Sequence, residues 1–271
     1  MIPRFLQALS RRRQPDAEAR PSTPKGVAVY AIGDIHGRLD LLGPLLQTIG
    51  EEANGRAKTI VVGLGDYVDR GLDSRGVVEI LLELAARPGI EARFLRGNHD
   101  QILLDFLADH SLGPYWCRVG GRETLFSYGV EAPATRKHME AWLAARDAFA
   151  ANMPERHLGF FQDLSFSFTC GDYFFAHAGA QPGTPLEEQT ERDLMWIRKP
   201  FLDDESRFDR IVVHGHTPAE EAHADHRRIG LDTGAYMTGV LTACCFEGEA
   251  RRLIQAVENA HGEPDIRSRT L

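Results

Sequence analysis

Apolar and polar residues alternate in blocks along the chain, and the length of each block predicts its element. Residues 27–33 (VAVYAIG) are a β-branched apolar run of strand length that stops at Gly33-Asp34. Residues 39–53 (LDLLGPLLQTIGEEA) carry leucines at helical spacing. A second apolar run, 58–65 (KTIVVGLG), ends at Asp66, and a second helical segment, 74–87 (SRGVVEILLELAAR), is stopped by Pro88-Gly89. A third strand-like run, 90–97 (IEARFLRG), ends at Asn98-His99. Strand, helix, strand, helix, strand predicts consecutive βαβ units in a parallel sheet. Strands that are apolar throughout, rather than alternating, predict that both faces of that sheet are covered.

Residues 101–165 break this rhythm. They read as mostly helical and rich in aromatics (Trp116, Phe126, Tyr128, Trp142, Phe149, Phe160, Phe161), which suits the core of a helical insert better than a cofactor box. Short apolar runs with Gly turns follow at 166–179, 211–218, 226–234, 239–248 and 251–257, and predict further strands. A βαβ half followed by a β-rich half implies an α/β fold: a two-sheet β-sandwich flanked by helices, with a helical insert. The expected organisation is a disordered tail at 1–25, one catalytic domain at 26–257 with its insert at about 101–165, and a C-terminal tail at 258–271.

Charge and cysteine usage narrow the function. Lys and Arg total 31 against 39 Asp and Glu, a net charge of −8 that disfavours a general nucleic-acid or anionic-membrane binder. The four cysteines form no C-x-x-C pair, and Cys244-Cys245 lie inside an apolar run, as reduced buried thiols of a cytoplasmic protein do. No apolar stretch approaches the roughly 18 residues of a membrane span. At the N-terminus (MIPRFLQALSRRR) the arginines follow the apolar patch, the reverse of a secretory signal.

The chemistry gathers at strand ends. Gly33-Asp34-Ile35-His36-Gly37, Gly65-Asp66-Tyr67-Val68-Asp69-Arg70-Gly71 and Gly97-Asn98-His99-Asp100 each close a predicted strand, and Asp34, Asp66 and Asn98 are spaced 32 positions apart. A βαβ unit takes roughly 30 residues, so each motif falls at the carboxyl end of the next parallel strand, where open α/β sheets place their ligands. His177 in HAG and His214/His216 in HGHTP also follow apolar runs. The set Asp34, His36, Asp66, Asn98, His177 and His216 mixes carboxylate, imidazole and amide without thiolate. It suits Mn foremost, with Fe, Zn or Co also admissible, and six side chains exceed the needs of one tetrahedral site. Two divalent metal ions sharing one carboxylate fit better.

GDIHG, GDYVDRG, RGNHD, HAG and GHT, in this order over residues 29–218, resemble the signature set of the calcineurin-like metallophosphoesterases. The VDR segment resembles their phosphoprotein phosphatase branch, in its bacterial form. The resemblance implies a dinuclear centre in which Asp34, His36 and Asp66 hold the first metal, Asp66 bridges, and Asn98, His177 and His216 hold the second. It further implies that His99 protonates the leaving oxygen, that Asp69 orients His99, and that Arg70 and, in a looser motif, Arg198 bind phosphate. A bridging hydroxide then attacks phosphorus in line. Three departures stand out: GNHD for the commoner GNHE, His214 where eukaryotic relatives often carry Arg, and LDTGAYMTG in place of the eukaryotic substrate groove.

Elementary electrostatics agrees with this reading. Two divalent cations with Asp34 and Asp66 leave the site at about +2 in a chain of −8, enough to hold a phosphate dianion and acidify a bound water. The expected substrate is a phosphoprotein bearing phospho-Ser or phospho-Thr, or another phosphate ester. The alternatives are a symmetrical dinucleoside tetraphosphate hydrolase, a broad-specificity phosphatase that includes phosphotyrosine, and a metal-bound scaffold. Relatives that cleave the dinucleotide usually read GDIQG, so His36 disfavours that option. His214 is expected to support the site or touch substrate, and Asp100 to be a helix N-terminal carboxylate. His110, His138, His157, His223, His226 and His261 belong to no motif and are expected to face solvent.

Overall fold

The computed structural model describes residues 20–271; the expectations for 1–19 lie outside them. Strand β1 (Val27–Ile32) pairs in parallel with β2 (Lys58–Gly63), and β2 with β3 (Ile90–Phe94). Helices α1 (Leu39–Ala53) and α2 (Ser74–Ala85) make the crossovers. Asp73 caps α2 by accepting the Gly76 N–H at 2.8 Å, a contact worth about 1 kcal/mol.

The continuous apolar strands have a direct explanation. In β1, Ala28, Tyr30 and Ile32 face a core shared with the helices, while Val29 and Ala31 face a second core between the two sheets. Both faces are therefore dry along β1 and β2. The outermost strand β3 is only half-buried, because it edges the sheet.

Residues 98–162 are helical: α3 (Asn98–Ala108), α4 (Gly113–Val119), α5 (Gly121–Ser127), α6 (Met139–Asn152) and α7 (Glu155–Gln162). Trp116, Tyr128, Trp142, Phe149, Phe160 and Phe161 are buried, as expected, whereas Phe126 is 69% exposed. The segment returns to the sheet edge through a parallel bridge between Leu95 and Ser165.

The second sheet has the order β4-β5-β6-β8-β7, built from β4 (Ser167–Cys170), β5 (Tyr173–Ala176), β6 (Ile211–His214), β7 (His223–Ala224) and β8 (Arg228–Gly230). Short helices α8 (Glu191–Trp196) and α9 (Lys199–Leu202) contribute to a third core on its outer face. After α10 (Ala235–Thr238), strands β9 (Val240–Glu247) and β10 (Ala250–Glu258) rejoin the first sheet antiparallel to β1 and to each other. The result is the expected two-sheet sandwich with helices on both outer faces. Among the described residues no helix is long and apolar enough to cross a membrane.

Three expectations are corrected. The C-terminal tail contains β11 (Pro264–Thr270), paired antiparallel with β10 at the rim of the first sheet. Apart from Pro264 and Ile266 its residues are polar, and all but Pro264 are exposed, so no hydrophobic alternation marks it. Residues 20–25 are likewise ordered: Thr23 N–H donates to Gly248 O at 3.1 Å, Ser22 N–H to the Asp172 carboxylate at 2.9 Å, and Tyr173 Oη–H to Pro21 O at 2.9 Å. His157 is fully buried between Tyr128 Oη and Glu79 Oε2, each at 2.9 Å, rather than facing solvent.

Candidate metal centre

Parallel pairing of β1, β2 and β3 brings Asp34, Asp66 and Asn98 to one edge of the first sheet. His177 and His216 follow β5 and β6, which are also parallel, and meet them there. The backbone at this edge is under strain. Among the described residues, the non-glycine positions with positive φ are His36, Asp66, Asp69, Arg70 and His216, all of them singled out from the sequence. Side chains with a β-carbon disfavour this region, and such strain persists where the surrounding structure over-determines it. The loops also approach too closely for side chains. A β-carbon at Gly97 would collide with Asp66 Oδ1, and one at Gly215 with Asp34 Oδ1.

Asp66 is the common member of the buried cluster. Its Oδ2 lies 3.5 Å from His36 Nε2 and its Oδ1 lies 3.5 Å from His177 Nε2. Asn98 Oδ1 is 3.1 Å from His177 Nε2. One group of ligand-type atoms (His36, Asp66, His99) and a second (Asp66, His177, His216) each fall within 4.8 Å. Asp34 accepts the His216 backbone N–H at 3.0 and 3.1 Å. Asp100, the carboxylate in the first turn of α3, accepts N–H groups from Gly97, Asp66 and Tyr67, so it binds two of the strand-end loops together.

The imidazoles are set up as neutral ligands. Nδ1–H of His36 donates to Val68 O at 2.7 Å, and that of His177 to Leu64 O at 2.9 Å, which turns each Nε2 inward. Burial holds His177 below the usual imidazole range and takes His36 down to about 3 and His216 to about 2. His216 Nε2 is buried and has no hydrogen-bond partner among the described residues. Two of the carboxylates show the opposite imbalance, while at Asp66 burial is outweighed by the surrounding histidines, which hold it below its ordinary value. Burial and the neighbouring Asp232 and Asp66 charges raise Asp34 well above its ordinary value, and burial lifts Asp232 to about 6. Crowded buried carboxylates beside neutral imidazoles and an orphaned Nε2 form a donor set that divalent cations would satisfy.

Beside this cluster, His99 Nδ1 is 2.6 Å from Asp69 Oδ2, and its backbone N–H donates to Asp66 Oδ1 at 2.9 Å. Burial opposes a charge on His99, but the Asp66 and Asp69 carboxylates outweigh it and raise its proton affinity. Arg70 donates to His36 Nε2 at 3.0 Å and to His99 Nε2 at 2.9 Å; a cation held by His36 would compete with Arg70 for the Nε2 lone pair. Arg198, ahead of α9, is exposed, and its side chain makes no hydrogen bond or ion pair among the described residues; its charge lowers the proton affinity of His177 and His216. His214 is turned to Arg228 Nη1 at 3.2 Å and packs edge-on against Phe201, supporting the loop of His216 from behind.

Sequence reasoning missed four contributing residues. Asp232 is buried and follows β8, a strand of three residues, without the preceding glycine that marked Asp34. Tyr236 lies edge-on to His36 at 5.4 Å and beneath the Arg70 guanidinium at 4.6 Å. Trp116 and Thr124 donate to the Asp69 carboxylate from the helical segment.

The chain is similar in sequence and fold to known proteins. The family model for calcineurin-like phosphoesterases matches residues 27–237. Serine/threonine-protein phosphatase 1 of Salmonella typhimurium is 33% identical over 219 residues, covering 79% of this chain and 89% of that protein. The asymmetrical bis(5′-nucleosyl)-tetraphosphatase PrpE of Halalkalibacterium halodurans is 24% identical over 238 residues, covering 79% and 88%. A solved structure provisionally assigned as a diadenosine tetraphosphatase superposes with a TM-score of 0.58 at 22% identity, covering 93% of this chain and 98% of the other.

Proposed function

The chain belongs to the calcineurin-like phosphoesterases, and from that premise we propose that it is a two-metal phosphomonoesterase acting on phosphoserine- and phosphothreonine-type alkyl phosphates. Asp34, His36 and Asp66 would hold one cation, and Asp66, Asn98, His177 and His216 the other. When bound, the pair supplies positive charge for the phosphate oxygens and acidifies a water to make the nucleophile. The remaining steps fall to the chain's own residues. Arg70 and the exposed Arg198 offer forked donors to the equatorial oxygens of phosphate. A phosphate group that draws the Arg70 guanidinium away from His99 Nε2 frees that nitrogen to carry a proton. His99 then gives the proton to the departing alkoxide, and Asp69 stabilises the imidazolium until it does.

The observation that carries this reading is the 2.6 Å His99–Asp69 contact at the edge of the Asp66 cluster. A seryl or threonyl alkoxide is a poor leaving group and needs a proton. A nucleotide departs as a phosphate anion that is already stable, and gains less from an acid. One feature favours a tetraphosphatase instead: Tyr236 and the 39% exposed Trp196, 6.5 Å from His216, offer aromatic faces at the site on which nucleobases stack. The similarity to PrpE supports the same alternative.

The test is Mn²⁺-loaded protein, with an EDTA control, offered a phosphoserine peptide, a phosphotyrosine peptide, an aryl phosphate and diadenosine tetraphosphate. Preferential turnover of the phosphoserine peptide is expected. Hydrolysis of the dinucleotide alone would overturn the protein-phosphatase reading while leaving the phosphoesterase centre intact.

A further inference from the structure

We propose that Trp116 and Thr124 are positioning residues for proton donation by His99, which makes the helical segment 98–162 a working part of the reaction centre. The proposal rests on the reading of His99 as the acid. Its basis is the environment of Asp69, whose carboxylate is wholly buried. Besides the His99 ring, it accepts Trp116 Nε1–H at 3.0 Å to each oxygen and the Thr124 hydroxyl at 2.7 Å to Oδ1. Thr124 Oγ1 spends its single proton on Asp69, and it accepts the Asp69 backbone N–H at 2.9 Å and the Ser74 hydroxyl at 3.0 Å.

This network does two things at once. It fixes the rotation of the carboxylate so that Oδ2 meets His99 Nδ1, and it holds the Asp69 backbone at φ 74°, a left-handed conformation uncommon for residues with a β-carbon. The donors are themselves held firmly. The Trp116 ring is fully buried against Phe106 and Phe149, at 4.8 and 5.5 Å between centroids, and a β-carbon at Gly121 would strike it. Arg70 N–H donates to Gly120 O at 3.0 Å, so the α4–α5 junction is moulded around both Asp69 and Arg70. None of these contacts involves the residues of the Asp66 cluster other than through His99 and Arg70. Substitutions at Trp116 and Thr124 should therefore leave metal content alone and act on protonation of the leaving group.

The experiment compares a phosphoserine peptide with p-nitrophenyl phosphate, whose leaving group needs little protonation, in Thr124→Val, Trp116→Phe, Thr124→Ser and His99→Asn. For Thr124→Val and Trp116→Phe, turnover of the peptide is expected to fall by about 10–100-fold, the range seen when supporting residues of a site are removed. The aryl ester should change far less, with metal content at the wild-type level and recovery in Thr124→Ser. Equal losses on both esters, or no loss on the peptide, would overturn the proposal. If Thr124→Val does not fold, Trp116→Phe and Thr124→Ser decide the matter by the same comparison. His99→Asn separates the two levels of the argument. If it loses both esters equally, the reading of His99 as the acid fails and the proposal with it. If it loses the peptide selectively while the Trp116 and Thr124 variants do not, only the proposal fails.

Discussion

Replacing Gly97 by Ala tests how the strand-end loops build the site. Gly97 has φ −86° and ψ 166°, open to any residue, so the backbone itself does not object to alanine. The added β-carbon would lie 2.9 Å from Asp66 Cγ and nearer still to Asp66 Oδ1 and N. Carbon atoms in contact normally keep about 3.5–4.0 Å, so Asp66 or the β3–α3 turn must move by about 1 Å. Overpacking of this kind costs about 1–3 kcal/mol. At about 2–4 °C per kcal/mol, that lowers Tm by about 2–12 °C. The effect on chemistry should be larger, because a 1 Å misplacement in a reaction centre costs about 10²-fold in rate. The assay is kcat on a phosphoserine peptide with bound metal measured by mass spectrometry. Gly159→Ala serves as the control: no atom lies within 4 Å of its β-carbon in α7, and it should gain about 0.5–1 kcal/mol of stability without loss of turnover. A Gly97→Ala protein with wild-type kcat, metal content and Tm would refute the claim that this close approach sets the position of Asp66.

Two further outcomes follow from the electrostatics. Dialysis against EDTA removes the counter-charge from Asp34, Asp66 and Asp232, so Tm should fall. At a hundredfold excess over Kd each ion contributes about 2.7 kcal/mol, or ~5–11 °C, and an unchanged Tm in calorimetry would contradict the assignment. The raised proton affinity of His99 keeps its acid form present above the ordinary imidazole value and loses it as pH rises further. Turnover of the phosphoserine peptide should therefore decline on the alkaline side of that raised value. Asp69→Asn, which removes one of the raising charges, should move the decline to lower pH.

Much of the fold was legible in the sequence because β1 and β2 serve two cores at once, so from Val27 to Ile32 and from Ile60 to Gly63 they carry no polar side chain of the kind that marks a solvated face. The candidate site was legible for a related reason: Asp34, Asp66, His177 and His216 follow such apolar strands, and Asn98 follows the half-buried β3 at the same spacing. What escaped notice lacks that marking. Strand β11 is exposed on both faces and reads as polar chain. Asp232 follows a strand of three residues, too short for a pattern. Trp116 was read as core, and its ring is core, but the indole N–H at its edge reaches Asp69, which composition does not disclose. His157 belongs to no motif, and its buried pairing with Tyr128 and Glu79 joins residues 29 and 78 positions away. Contacts between distant segments, carried by the polar edge of an otherwise apolar side chain, are the part that only the folded structure supplies.

The central claim is that two cations share Asp66. The most direct measurement is anomalous X-ray diffraction from crystals of the Mn²⁺-loaded protein at the manganese edge. Two peaks are predicted on either side of the Asp66 carboxylate, one toward Asp34 and His36 and the other toward Asn98, His177 and His216. A single peak, or peaks away from Asp66, would contradict the account.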